Sequence, residues 1–171
     1  MIFLKIKQSI FREMRCMRWS YIIICAVSSL LLGMLTGVFG SGGIAYRCLC
    51  LPRGALSASA FILIWSMGYL LVGVAFGCVL NNYFCCSSQY LRSGIFWFSL
   101  FMLSNLLWYP IFFGLGSIVF AFLILVLHLL ITLVTINCFI KIGLFPTVIL
   151  CLYFVWLIYC LFINFCIILL N

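Results

Sequence analysis

"SNLLWYPIFFGLGS", residues 104–117, decides how this chain is read. It joins the end of one apolar run to the start of the next through the short turn "GLGS", residues 114–117. About 20 residues cross the hydrocarbon of a bilayer, and a lipid-exposed backbone must satisfy its own hydrogen bonds, so each run reads as a helix. So short a turn makes the two helices antiparallel. The first arm also carries Asn105, Trp108, Tyr109 and Pro110, groups that a merely lipid-soluble span does not need.

Working outward, five apolar runs are long enough to span: about 20–39, 57–80, 94–115, 117–140 and 145–170. The connections are "FGSGGIAYRCLCLPRG" (39–54), "NNYFCCSSQYLRSG" (81–94), "GLGS" and "KIGLFP" (141–146). The composition agrees, because 69% of the 171 residues are hydrophobic and 6% are charged. A soluble domain carries about 25% charged residues, so this chain could not clothe a soluble surface. The expected fold class is all-α, a bundle of five transmembrane helices. Residues 1–19 form a basic juxtamembrane segment and 20–171 the membrane domain. The bilayer is the first partner this implies.

The net charge of +8 would suit nucleic acid, but its distribution excludes that partner. Lys5, Lys7, Arg12, Arg15 and Arg18 precede the first run, and Arg47, Arg53, Arg92 and Lys141 lie near run ends. This is how topogenic charges are placed. With the N-terminus cytoplasmic, that side holds seven of the nine basic residues and the opposite side holds Arg47 and Arg53, which favours N-in. The basic N-terminal segment reads first as a positive-inside anchor, with a surface helix or an organellar address as alternatives. Six of the eleven cysteines lie in apolar runs, where the thiol behaves as a small hydrophobe. One histidine and no paired CxxC give no basis for a metal site.

Polar groups at membrane depth face a bundle interior or a cavity. Three runs place theirs at helical spacing: Trp65, Tyr69 and Gly73; Asn105, Trp108 and Phe112; Tyr153, Trp156, Cys160 and Asn164. Three helices therefore each turn a tryptophan inward. The pattern leaves core packing and a ligand cavity both open. Trp19 and Trp97, near run starts, read as interfacial residues. His128 reads more readily as a satisfied polar group than as a ligand. Gly33/Gly37 and Gly73/Gly77 are GxxxG pairs, better suited to contacts inside one bundle than between subunits. No catalytic residue is expected, and the chain does not read as an enzyme: general acid–base work wants a tuned carboxylate or histidine pair, and the only acid, Glu13, precedes the first run.

Three blocks resemble one family. "NLLWYPIFFGL" (105–115) is similar to its Asn-x-x-Trp-x-Pro-x-Phe-Phe segment. "LYFVWLIYCLFINF" (152–165) keeps Tyr153, Trp156 and Asn164 in register with a second segment. "AYRCLCLPRGALSASAFILIWSMGYLLVG" (45–73) keeps Tyr46, Leu49, Pro52, Phe61, Trp65, Tyr69 and Gly73. The family is TspO/MBR, the tryptophan-rich sensory proteins and the translocator protein (peripheral benzodiazepine receptor). The chain departs from it at Ala45, Leu51, Gly54, Leu56–Ser57, Phe101, Leu152 and Cys160, so the first loop and part of the lining are altered.

The resemblance implies a five-helix membrane protein, often a homodimer, that binds tetrapyrroles such as protoporphyrin IX or haem, or similar lipophilic molecules, as transporter or sensor. No cofactor is required; porphyrin or haem enters as ligand. The implied lining is Trp65, Tyr69, Asn105, Trp108, Phe112, Tyr153, Trp156, Cys160 and Asn164, closed by a first loop bearing Tyr46, Arg47, Pro52 and Arg53. Indole and phenol faces suit a large flat ring, and the two arginines suit its propionates. A ligand-free structural or assembly subunit and a light-dependent porphyrin-degrading protein are the alternatives. A bacterial inner membrane is the favoured location, with the mitochondrial outer membrane as runner-up.

Overall fold

A computed structural model describes residues 18–40, 46–83 and 89–171. They form five long helices: α1 (Trp19–Gly40), α2 (Ala58–Tyr83), α3 (Gln89–Tyr109), α4 (Ile118–Ile140) and α5 (Leu144–Leu170), with a 3₁₀ turn (Tyr46–Cys48) in the first loop. All five are long and apolar enough to cross a membrane, α3 together with the segment that follows it. The basic segment read at 1–19 lies outside the described residues up to residue 17. The third helix begins at Gln89, five residues before the predicted 94, because its first turn carries polar Gln89 and Arg92 that the apolar pattern could not include.

The polarity is that of a protein solvated by lipid. Leu31, Leu35, Leu63, Leu123, Leu130, Leu152 and Val155 are exposed, while Asn105, His128, Thr132, Thr135 and Asn164 are buried. Thr132 and Thr135 satisfy their hydroxyls within α4 by bonding the His128 and Ile131 carbonyls at 2.6 and 2.8 Å. The helices close a ring in the order α1, α2, α5, α4, α3, with α3 returning to α1.

Glycine sets the tightest seam. A methyl group at Gly73 would lie 2.5 Å from the Cys25 carbonyl oxygen and 2.6 Å from the Ala26 Cα. One at Gly77 would lie 2.6 Å from the Ile22 Cα. The absent side chains let the α1 and α2 backbones touch, so this GxxxG pair is used inside the bundle. At the end of the seam Asn81 clasps Arg18, accepting its N–H at 2.9 Å and donating to its carbonyl at 3.4 Å.

The quoted hairpin is helical to Tyr109 and then widens into a π turn, Pro110–Gly114. Pro110 has no N–H to continue the α ladder, and its carbonyl accepts instead from Leu115 N at 2.9 Å. The wide turn brings consecutive residues Ile111, Phe112 and Phe113 into the core. Gly116, at φ 66°, makes the reversal into α4 in the left-handed region that glycine adopts without strain.

Candidate functional site

Phe61 is the hub of the interior aromatic cluster. Its ring centroid lies 5.4 Å from Trp65, 6.0 Å from Trp108, 5.9 Å from Trp156 and 6.1 Å from Tyr46. Trp65 and Trp108 approach to 4.9 Å, and Trp156 meets Trp65 edge-on at 6.2 Å. The π turn adds Phe112 and Phe113, at 5.2 and 6.1 Å from Trp108. Three helices therefore bring one tryptophan each to one place, as the stripes predict. Aromatic pairs of this kind add about 0.5–1.5 kcal/mol each beyond the area they bury. Gly73 is the exception in its stripe, since it faces the α1 backbone rather than the cluster.

Tyr69, Asn105 and Tyr153 sit one helical turn deeper, at 3, 1 and 5% exposure. The Tyr153 phenol approaches the Asn105 amide and Tyr69 without reaching hydrogen-bond geometry. Cys160 and Asn164 are buried on α5 and border, with Tyr46, Phe61, Trp108 and Phe112, a cavity of about 20 Å³. That holds about one water molecule. The space between the three tryptophans is largely filled by the rings themselves. A larger groove of about 260 Å³ runs on the flank between α1 and α2, where Gly33, Met34 and Gly37 border Trp65, Tyr69 and Tyr109.

Buried polar atoms without a hydrogen-bond partner among the described residues concentrate here. They are the Tyr69 and Tyr153 hydroxyls, both amide atoms of Asn105 and of Asn164, the Trp108 and Trp156 indole N–H groups, and His128 Nε2. Leaving one such group unsatisfied costs about 1–3 kcal/mol. Six of the seven residues that carry them are candidates from the sequence.

The first loop lies over the cluster. Tyr46 reaches in from it, and its hydroxyl donates to the Leu56 carbonyl at 3.0 Å. Partial burial, with Tyr159 and Cys160 nearby, pushes its phenol pKa above the ordinary value. Tyr159 of α5 and Asn171, which caps that helix, pin the loop. Tyr159 donates to the Gly54 carbonyl at 3.0 Å and accepts from Leu56 N at 3.2 Å. The Asn171 amide accepts from Cys50 N at 3.0 Å and donates to its carbonyl at 3.2 Å. Pro52 is half-buried, accepting from Ala55 N at 2.9 Å, and Arg53 is exposed. The Arg47 side chain lies outside the described residues.

The profile of the TspO/MBR family matches residues 9–170. The chain belongs to the TspO/MBR family. Curated proteins give no match. Membership, with five apolar helices long enough to span, makes it a multi-pass integral membrane protein. To the implied lining the structure adds Tyr159 and two residues of the quoted family blocks, Phe61 and Phe113. Phe61 stands four residues before Trp65 on the same stripe, so periodicity could have found it. Phe113 needed the π turn, and Tyr159 needed its loop partners.

Proposed function

We propose that this TspO/MBR protein binds a flat lipophilic ring system, a tetrapyrrole such as protoporphyrin IX or haem, in its aromatic interior, as a transporter or sensor in a cell membrane. The observation that carries the reading is the convergence of Trp65, Trp108 and Trp156 on Phe61, with two indole N–H groups and the Asn164 amide unpartnered beside it. Ring faces stack on the macrocycle, and the few polar atoms orient it. Ligand pockets hold about 300–1,000 Å³, so binding requires the first loop to lift and the rings to part. Arg53, on the loop, supplies a cation at the rim for a carboxylate.

The second reading, a structural subunit without ligand, draws on the cavity of about 20 Å³. Titration of the purified protein with protoporphyrin IX separates the two. Binding predicts saturable quenching of tryptophan fluorescence. It also predicts at least about fivefold weaker affinity in Trp65→Phe with Trp156→Phe, at the stacking energies above. Absence of saturable quenching would leave the structural reading. The same titration under illumination tests porphyrin breakdown: a new absorbing product that depends on Trp156 supports it, and bleaching equal to that of free porphyrin removes it.

A further inference from the structure

His128 is the only histidine of the chain, and it is 1% exposed on α4. Its Nδ1 lies 2.7 Å from Ser104 Oγ on α3. The Ser104 hydroxyl has one proton, and its oxygen lies 2.9 Å from the Phe101 carbonyl, which can only accept. Ser104 therefore gives its proton to that carbonyl and accepts from His128 Nδ1–H. In the neutral imidazole this leaves Nε2 as a bare lone pair. That atom is buried and unpartnered among the described residues.

Tyr69, Asn105 and Tyr153 bring further unpartnered polar atoms to the same depth. The His128 ring meets Tyr153 edge-on at 6.1 Å, and both pack on Phe101, at 4.7 and 5.4 Å. Each of the four residues is at least nine-tenths buried and lies in the middle third of its helix, counting the π turn with α3. Four helices thus contribute hydroxyl, amide and imidazole groups at mid-membrane, one turn below the tryptophans. Thr132 and Thr135 on the same α4 face bond their own helix, whereas these groups do not.

We propose that Tyr69, Asn105, His128 and Tyr153 form a hydrogen-bonding chamber that takes a neutral O–H or N–H donor, with His128 Nε2 as its acceptor. The donor is supplied by water or by the hydroxyl of a lipophilic molecule. Asn105 and the phenols hold the rest of that molecule's polar end. Tyr69, Asn105 and Tyr153 also belong to the lining that the family resemblance implies, so the chamber rests on that site, but its test uses no porphyrin and fails separately from tetrapyrrole binding.

The full chain, labelled with ¹⁵N-histidine and placed in lipid nanodiscs, gives one imidazole to observe by NMR. The expected result is a protonated Nδ1 and an unprotonated Nε2 that is hydrogen-bonded. A water donor shows as a cross-peak from bulk-water protons to the His128 ring that survives Tyr153→Phe. A ligand hydroxyl shows as a saturable Nε2 shift with p-cresol that p-xylene, the same shape without the hydroxyl, does not produce. Ser104→Ala should lose the tautomer preference while retaining the tryptophan emission of the folded bundle. The proposal is overturned by a protonated Nε2, by an Nε2 that responds to neither water nor p-cresol, or by a water signal that vanishes in Tyr153→Phe, which would make Tyr153 itself the donor.

Discussion

Tyr159 on α5 and Asn171 at its C-cap show how single side chains can hold a loop distant in sequence. Each makes two hydrogen bonds to loop backbone, and a hydrogen bond contributes about 0.5–1.5 kcal/mol net. Tyr159→Phe together with Asn171→Ala should speed hydrogen exchange at the Cys50 and Leu56 amides by about tenfold, one factor of ten being about 1.4 kcal/mol. Unchanged exchange would mean that packing under Tyr46 holds the loop instead. The residues of the stripes were legible in the sequence because a helix repeats its faces at fixed spacing. These pins were not, since their partners lie more than a hundred residues away and are backbone atoms. From the sequence, His128 reads more readily as a satisfied polar group than as a ligand. That holds for Nδ1, through Ser104, and not for Nε2.

Helix contacts rest on a few positions of small volume. Gly73→Leu or Gly77→Leu must push α1 off α2, because the atoms met are backbone and cannot rotate away. Overpacking of this kind costs about 1–3 kcal/mol or more, and should appear as a lower unfolding temperature in detergent. Gly37→Ala is the matched control: a methyl there meets nothing within 4 Å, so its unfolding temperature should stay near that of the parent. Spacing alone presented Gly33/Gly37 and Gly73/Gly77 as equivalent motifs. Only the packing separates them, since Gly33 faces the Tyr69 ring and Gly37 a groove. Likewise "WYPIFFG" signals a break at Pro110, but the break could have been a kink, a stop or a widened turn. The π turn is the outcome that buries both Phe112 and Phe113.

At the scale of the molecule, span number and approximate limits were legible because lipid imposes one rule on every segment, whereas ring order depends on side-chain fit between helices. Five spans put the first loop and the end of α5 on one side, and the Asn171 bonds to Cys50 require it. The single crossing by α1 puts that side opposite the N-terminus, and the Lys/Arg distribution predicts that the N-terminus is cytoplasmic. A membrane-impermeant maleimide applied to intact cells should therefore label exposed Cys48 and Cys50. Labelling only after permeabilisation would reverse the orientation. The α1–α2 seam also bears on self-association. Lipid gives no hydrophobic reward for joining two helices, so a tight pairing needs a notch where backbones can meet. Gly73 and Gly77 are already occupied by Ile22, Cys25 and Ala26 of the same chain. Away from the open groove at Gly37, a second copy approaching through the membrane meets exposed side chains such as Leu63, Leu123, Leu130, Leu152 and Val155, a surface as soft and interchangeable as the acyl chains it would displace. Protomers joined there would exchange partners readily, and their pairing would follow their surface density in the bilayer.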